Sequence, residues 1–345
     1  MRFALSPEQI AFRDTARAFL ANRVRLRELI EMSGAHDPAL FKEIAGLGWL
    51  GVGVPEESGG QGLSFVETTL LAEETGRALL PGPFLGSLIA VEGAPTLIPL
   101  LAELVSGNHV AAAQIPTGRP RLRFVRNRLR GEEPFVHCAA VADVLFVVAA
   151  TPDGPAPFFV RSSEAVIEPV ASADLTRPAS RVLFDGARVD ERLDPAALPG
   201  LIDRARVLVA ADAVGGATRA LEMAVAYAKD RQQFDRAIGS FQAVKHRAAD
   251  AWRALESARL ATWYAAWTIA NDAPDAHTAA LAAKAAAGDA FMRGAADSIQ
   301  IHGGIGFTWE HDAHLYYRRA IADQAMLGDA AALRDAVAGN VLERA

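Results

Sequence analysis

A single cysteine, Cys138, stands in a chain of 345 residues. That near-absence excludes an internal disulfide and any cysteine cluster for zinc or iron–sulfur, and it fits a reducing compartment. No apolar run approaches the roughly 20 residues that a membrane-spanning helix needs; Val144–Ala150 is short and followed by turn residues. The opening residues, Met1-Arg2-Phe3-Ala4-Leu5-Ser6-Pro7, lack the apolar stretch of a secretion signal. Positive charge is not in excess either: a net charge of −6 argues against a nucleic-acid backbone or an acidic membrane surface as partner. A cytoplasmic protein is the expectation. Its apolar fraction of 51% is ample for a sizeable core.

The order of patterns is helices, then short strands, then helices. Ser6-Pro7-Glu8-Gln9 predicts a helix start, with Ser6 as cap, Pro7 at the first helical position and Gln9 three residues after the cap. Leu40–Leu47 predicts a second helix stopped by Gly48, and Phe65–Leu79 a third, closed by Pro81-Gly82-Pro83. Between them Gly51–Leu63, with Pro55 and five glycines, predicts a loop. The runs Val110–Ile115, Leu122–Val125, Val144–Ala149, Phe158–Val160 and Arg181–Phe184 predict a small, mostly antiparallel β unit. Arg119, Arg121, Arg123, Arg126, Arg128 and Arg130 fall within it and read as solvated faces and turns of exposed strands. Beyond Pro199, Val207, Ala211, Val214, Thr218, Leu221 and Val225 form one apolar helical stripe, and Leu281, Ala285, Gly288, Met292, Ala295 and Ile299 another. The expected architecture is α+β: a helical domain over 1–107, a shortened β domain over 108–198 and a four-helix bundle over 199–345.

Two segments of the last third carry chemistry: Arg231-Gln232-Gln233-Phe234 with Ile238-Gly239-Ser240-Phe241-Gln242-Ala243-Val244-Lys245-His246, and Gln300-Ile301-His302-Gly303-Gly304-Ile305-Gly306-Phe307. Taken singly they are bland. Gly303-Gly304 reads as a helix cap, and Gly304-x-Gly306 has no preceding strand to make a dinucleotide loop. His302, His311 and His314 define no metal geometry, since glycines separate the first two and the last pair has no third ligand. No metal is expected.

Jointly, the two segments resemble the acyl-CoA dehydrogenase family. So do Leu47-Gly48-Trp49, Val54-Pro55-Glu56-Glu57 with Gly59, Gly60 and Gly62, the run Glu73-Glu74-Thr75-Gly76-Arg77, and Asp174-Leu175-Thr176-Arg177. The resemblance implies FAD-dependent α,β-dehydrogenation of an acyl-CoA thioester: a glutamate takes the α-proton while the β-hydrogen leaves as hydride to the flavin. It also implies a flavin shared across a subunit interface, with electron-transfer flavoprotein as acceptor. Arg231, Gln233, Phe241, Gln242, Gln300, Gly303 and Gly304 then fall at positions supplied to a neighbour's flavin, Arg231 facing the pyrophosphate. Asp203 and Arg206 match a stretch used on the CoA nucleotide.

The departures are as informative. Ala112-Ala113-Gln114-Ile115-Pro116-Thr117-Gly118-Arg119-Pro120 lacks the Ser-Asp that the family places against the flavin ring and thioester. No tryptophan lies between Trp49 and Trp252 to supply the usual ring-stacking Trp-x-Thr. The two family positions for the base hold Leu327 and Ala205, neither of which accepts a proton. Asp323 is the weak substitute and Glu310 a structural or solvated residue. Within the family the pattern resembles the shorter subunit of heteromeric (α2β2) steroid-side-chain acyl-CoA dehydrogenases. On that basis the chain lends half of a flavin site to a longer partner that brings the base. Two alternatives stand beside it: a homo-oligomeric dehydrogenase with a relocated base, and a non-catalytic acyl-CoA-binding or structural subunit.

Overall fold

The computed structural model describes residues 4–94 and 99–342. In chain order it holds α1 (Pro7–Arg23), α2 (Leu26–Glu31), α3 (Pro38–Gly46), α4 (Phe65–Arg77), α5 (Phe84–Gly93) and α6 (Pro99–Val105). Strands β1 (Ala111–Gln114), β2 (Leu122–Val125), β3 (Arg128–His137), β4 (Val144–Thr151), β5 (Gly154–Arg161), β6 (Val166–Val170), β7 (Ala179–Ala187) and β8 (Glu191–Arg192) follow. Then come α7 (Leu198–Asp230), the short β9 (Gln232–Gln233) and β10 (Arg236–Ala237), α8 (Gln242–Ala270), α9 (Ala276–His302), α10 (Ala313–Ala325) and α11 (Ala330–Leu342). The chain divides into two compact units, one made of Met1–Asn22, Thr69–Leu80 and Arg206–Ala345, the other of Arg23–Thr68 and Pro81–Ala205.

The first helix begins as its sequence dictates. The Gln9 amide donates to Ser6 Oγ at 3.2 Å and the Ser6 amide to Gln9 Oε1 at 2.9 Å, a reciprocal cap that satisfies two donors otherwise left open.

In the second unit the sheet runs β6-β7-β3-β2-β4-β5-β8, with β1 also on β4. It is antiparallel except that β1 and β2 both pair with β4 in parallel. Strand β4 is apolar along nearly its whole length because it lies centrally and is buried on both faces. Leu122, Leu129, Val147, Phe158, Val182 and Phe184 build the core on one face. Strand β3 escapes sequence inspection: only Leu129 and Val136 of its ten residues are buried apolar side chains. Its place is fixed by pairing with β2 and β7.

In the first unit the stripes of α7 and α9 are buried except at Thr218, Val225 and Met292, which are half-buried. Small residues bring helices α4 and α7 close. A Cβ on Gly215 would lie 1.8 Å from the Glu73 carbonyl oxygen, and one on Gly76 2.1 Å from that of Asp212. A buried ion pair also ties this unit: Arg319 of α10 meets Asp212 of α7 at 3.2 Å and donates to the Leu80 carbonyl at 3.3 Å. The C-terminal part is a helical bundle, and the turn at Leu327-Gly328 adds a fifth helix, α11, to α7–α10.

Candidate functional site

The two chemistry-bearing segments meet. Past the end of α7, the Arg231 amide donates to the Tyr227 carbonyl and the Ile238 amide returns to the Arg231 carbonyl, both at 2.8 Å. A miniature hairpin results, turning at Phe234 and Asp235, which hold φ of 55° and 60°. Ala224 and Ala228 of α7 and Ile301 of α9 form an apolar cluster against which Ile238 and Val244 pack. That cluster pins the hairpin and the start of α8 beside the C-terminal end of α9, so residues distant in sequence share one surface. Gly239 allows the contact, since a Cβ there would lie 2.9 Å from the Ala228 carbonyl oxygen.

Arg231, Gln233, Gln242 and Gln300 are exposed on this surface, and Arg231 makes no ion pair among the described residues. Phe241 is half-buried, with the Arg236 guanidinium 4.2 Å above its ring and Phe234 edge-on at 6.0 Å. Phe234 and Phe307 are 85% and 75% exposed. Large aromatics held in water mark an interaction surface more than a solvated face. The glycines agree. Gly303 needs glycine for its φ of +66°, whereas Gly304 has neither a positive φ nor any atom within 4 Å of where its Cβ would be. Nothing within the chain requires glycine at 304, and its backbone is open to approach from outside.

His302 holds this loop from beneath. It is buried, its Nδ1 lies 2.7 Å from the Ser298 carbonyl, and its ring sits between Tyr227 and His311 at centroid distances of 4.6 and 4.1 Å. Burial, with His311 adding to it, lowers its pKa, so the ring is neutral and donates through Nδ1. Among the described residues no group of three or more histidine, cysteine or carboxylate side chains is spaced to hold a metal ion.

The two positions that the resemblance matches to the family base hold no proton acceptor. Leu327 is buried with φ of 58°, and Ala205 is buried. Arg206 donates from Nε to the Leu327 carbonyl at 3.4 Å, and Lys284 Nζ donates to the Gly328 carbonyl at the same distance. Two cations thus fasten successive carbonyls of the turn that opens α11. Asp323 is only 1% exposed and interacts electrostatically with Lys284. Asp203 is buried. Lys284 was missed in the sequence, although its place next to Ala285 on the buried stripe of α9 was the available signal.

Burial brings Lys284 down to about 8 from its ordinary 10.5, with Asp323 opposing the shift. Between those two values the unfolded chain binds more protons than the folded one, so stability rises with pH across that window, by up to about 3 kcal/mol. Thermal unfolding of the native chain against Lys284→Met from pH 7.5 to 10.5 is expected to show this rise only in the native chain. Parallel curves would show that Lys284 is not held this way.

In the β unit, the positions expected to make flavin-ring contacts carry different groups. Phe135 is partly exposed and edge-on to His137 at 5.1 Å, and His137 Nδ1 lies 3.0 Å from the Arg177 carbonyl. Glu133 is buried, and burial raises its pKa, with Arg121 and a hydrogen bond from Gln114 opposing. The first unit therefore offers groups that suit phosphate oxygens and close backbone approach. The second lacks the hydroxyl, carboxylate and indole expected against a flavin ring.

Family models match both ends of the chain: the acyl-CoA dehydrogenase N-terminal domain over residues 6–95 and the acyl-CoA dehydrogenase C-terminal domain over 197–342. The acyl-CoA dehydrogenase IpdE2 of Mycobacterium tuberculosis is 34% identical over 93% of either chain. This chain belongs to the acyl-CoA dehydrogenase family. Among solved structures, a chain of the ChsE4–ChsE5 complex from Mycobacterium tuberculosis matches 99% of this one and 99% of itself, at a TM-score of 0.91 and 26% identity. A chain of the Tcur3481–Tcur3483 steroid acyl-CoA dehydrogenase, G363A variant, matches at a TM-score of 0.90 and 29% identity, over 97% of this chain and 98% of that one. The family makes the chain an oxidoreductase-type flavoprotein fold. No helix among the described residues is long and apolar enough to cross a membrane.

Proposed function

We propose that this chain is the subunit of a heteromeric acyl-CoA dehydrogenase that completes a flavin site held mainly by a longer partner. The observation that carries the reading is the asymmetry of the two units. Arg231, Gln242 and the Gln300–Gly304 end form an exposed, cofactor-suited surface, while Leu327 and Ala205 occupy the two base positions. Two of the similar solved structures are named as pairs of proteins, which supports a pair here.

On this reading FAD, when bound, supplies the hydride acceptor for the β-hydrogen of the acyl thioester. Arg231 sets its planar donors against the pyrophosphate, where charge-assisted bonds are stronger than neutral ones. Gln233, Phe241 and Gln242 contact the cofactor alongside it, and Gly303 and Gly304 let the backbone approach. The partner's carboxylate takes the α-proton. Asp203 and Arg206 serve the CoA side, and an electron-transfer flavoprotein takes up the electrons. The acyl group is a bulky, steroid-derived chain, in keeping with the similar steroid dehydrogenase, and the protein works in the cytoplasm.

Co-expression with a longer acyl-CoA dehydrogenase that carries a glutamate base is the test. A yellow complex that oxidises acyl-CoA, from components that are separately colourless, is expected. If the chain alone binds flavin and turns over, with Asp323→Asn abolishing activity, a homo-oligomeric enzyme with a relocated base replaces this reading. Binding of CoA esters without flavin reduction in any combination makes it a non-catalytic subunit.

A further inference from the structure

The register of the β2–β3 hairpin gathers arginines that the sequence scattered. Arg123 stands directly opposite Arg130, and Val125 opposite Arg128. Side chains alternate along a strand, so Arg123, Arg128 and Arg130 share one face while Leu122, Phe124 and Leu129 point to the core on the other. Arg126 sits at the tip beside Asn127, both at positive φ, 51° and 57°.

This arrangement works against stability at several points. Like charges directly opposite on antiparallel strands repel. The first turn position, where glycine, asparagine or aspartate is preferred, holds an arginine. Some of the arginines have partners: Arg130 reaches Asp185 at 2.6 Å, Arg128 the Gly186 carbonyl at 3.5 Å, and Arg121 interacts electrostatically with Glu132 and Glu133. Arg119, Arg123 and Arg126 make no ion pair among the described residues. A strand face that concentrates positive charge in a chain of net charge −6 is built to meet an anion.

We propose that this arginine face binds the nucleotide end of coenzyme A through its phosphates. Guanidinium forks match phosphate oxygens in pairs, and the guanidiniums of Arg119, Arg123 and Arg126, without ion pairs among the described residues, suit a ligand with several separated phosphates better than a single carboxylate. The choice of coenzyme A rests on the function proposed above, and no family motif assigned these arginines a phosphate contact.

The test is calorimetric titration of adenosine 3′,5′-bisphosphate and of coenzyme A into the full chain, and into Arg123→Glu and Arg123→Glu/Arg126→Glu variants. Each reversal is expected to weaken both ligands about tenfold, and raising NaCl from about 50 to about 500 mM is expected to weaken the native chain most. Arg253→Glu, an exposed arginine on α8, serves as the control and is expected to change neither. Circular dichroism checks that the variants fold. Equal affinity in the native and hairpin variants, or no binding of either ligand to the native chain, overturns the proposal. The flavin content of the co-expressed complex is a separate readout, so such a failure leaves the proposed function standing.

Discussion

Arg319→Met is expected to destabilise the chain by about 3–5 kcal/mol, because it strands a buried carboxylate without its cation. Arg319 and Asp212 are 0% and 1% exposed and meet at 3.2 Å. Methionine fills much of the arginine's volume but offers Asp212 no charge, and the Leu80 carbonyl loses its donor as well. In the double variant Arg319→Met/Asp212→Leu most of the loss should return, since well-packed apolar groups often match or exceed a buried ion pair. Urea unfolding of the four proteins of this cycle measures the coupling. A single-variant cost below about 1 kcal/mol would mean that the pair is solvated and not sealed in the helical unit.

Arg231→Glu is expected to have the largest functional effect. In the co-purified complex it should lower flavin affinity about a hundredfold, since it removes a charge-assisted donor and places a carboxylate against phosphate. The guanidinium is exposed and makes no ion pair among the described residues, so the fold itself should be untouched. Flavin released on dilution, followed by fluorescence, gives the ratio, and unfolding of the variant should match the native chain. Unchanged flavin retention would remove Arg231 from the cofactor surface.

The contrast between these two arginines shows what the sequence made legible. The motif singles out Arg231, together with Gln242 and Gln300–Gly304, and the structure brings those segments together through Ala224, Ala228, Ile238, Val244 and Ile301. Arg319 carries no such signal. Its role depends on Asp212, more than a hundred residues away, and periodicity reports which face a residue lies on, not which charge waits there. Lys284 is a similar case. The reciprocal cap of α1 was legible because all its parts lie within four residues. Strand β3 was not, because its charged and glycine-containing stretch gains its place only from β2 and β7. The hairpin arginines read as a solvated face in the sequence, and only the register shows that they stand opposite one another.

The central claim is that this chain supplies part of a flavin site it does not complete alone. Its most direct test is the flavin absorbance and acyl-CoA turnover of the chain purified by itself, without any second dehydrogenase. The account predicts a colourless, inactive protein that becomes part of a yellow, active complex when the longer partner is present. A yellow protein with one FAD per chain, turning over an acyl-CoA unaided, would contradict it.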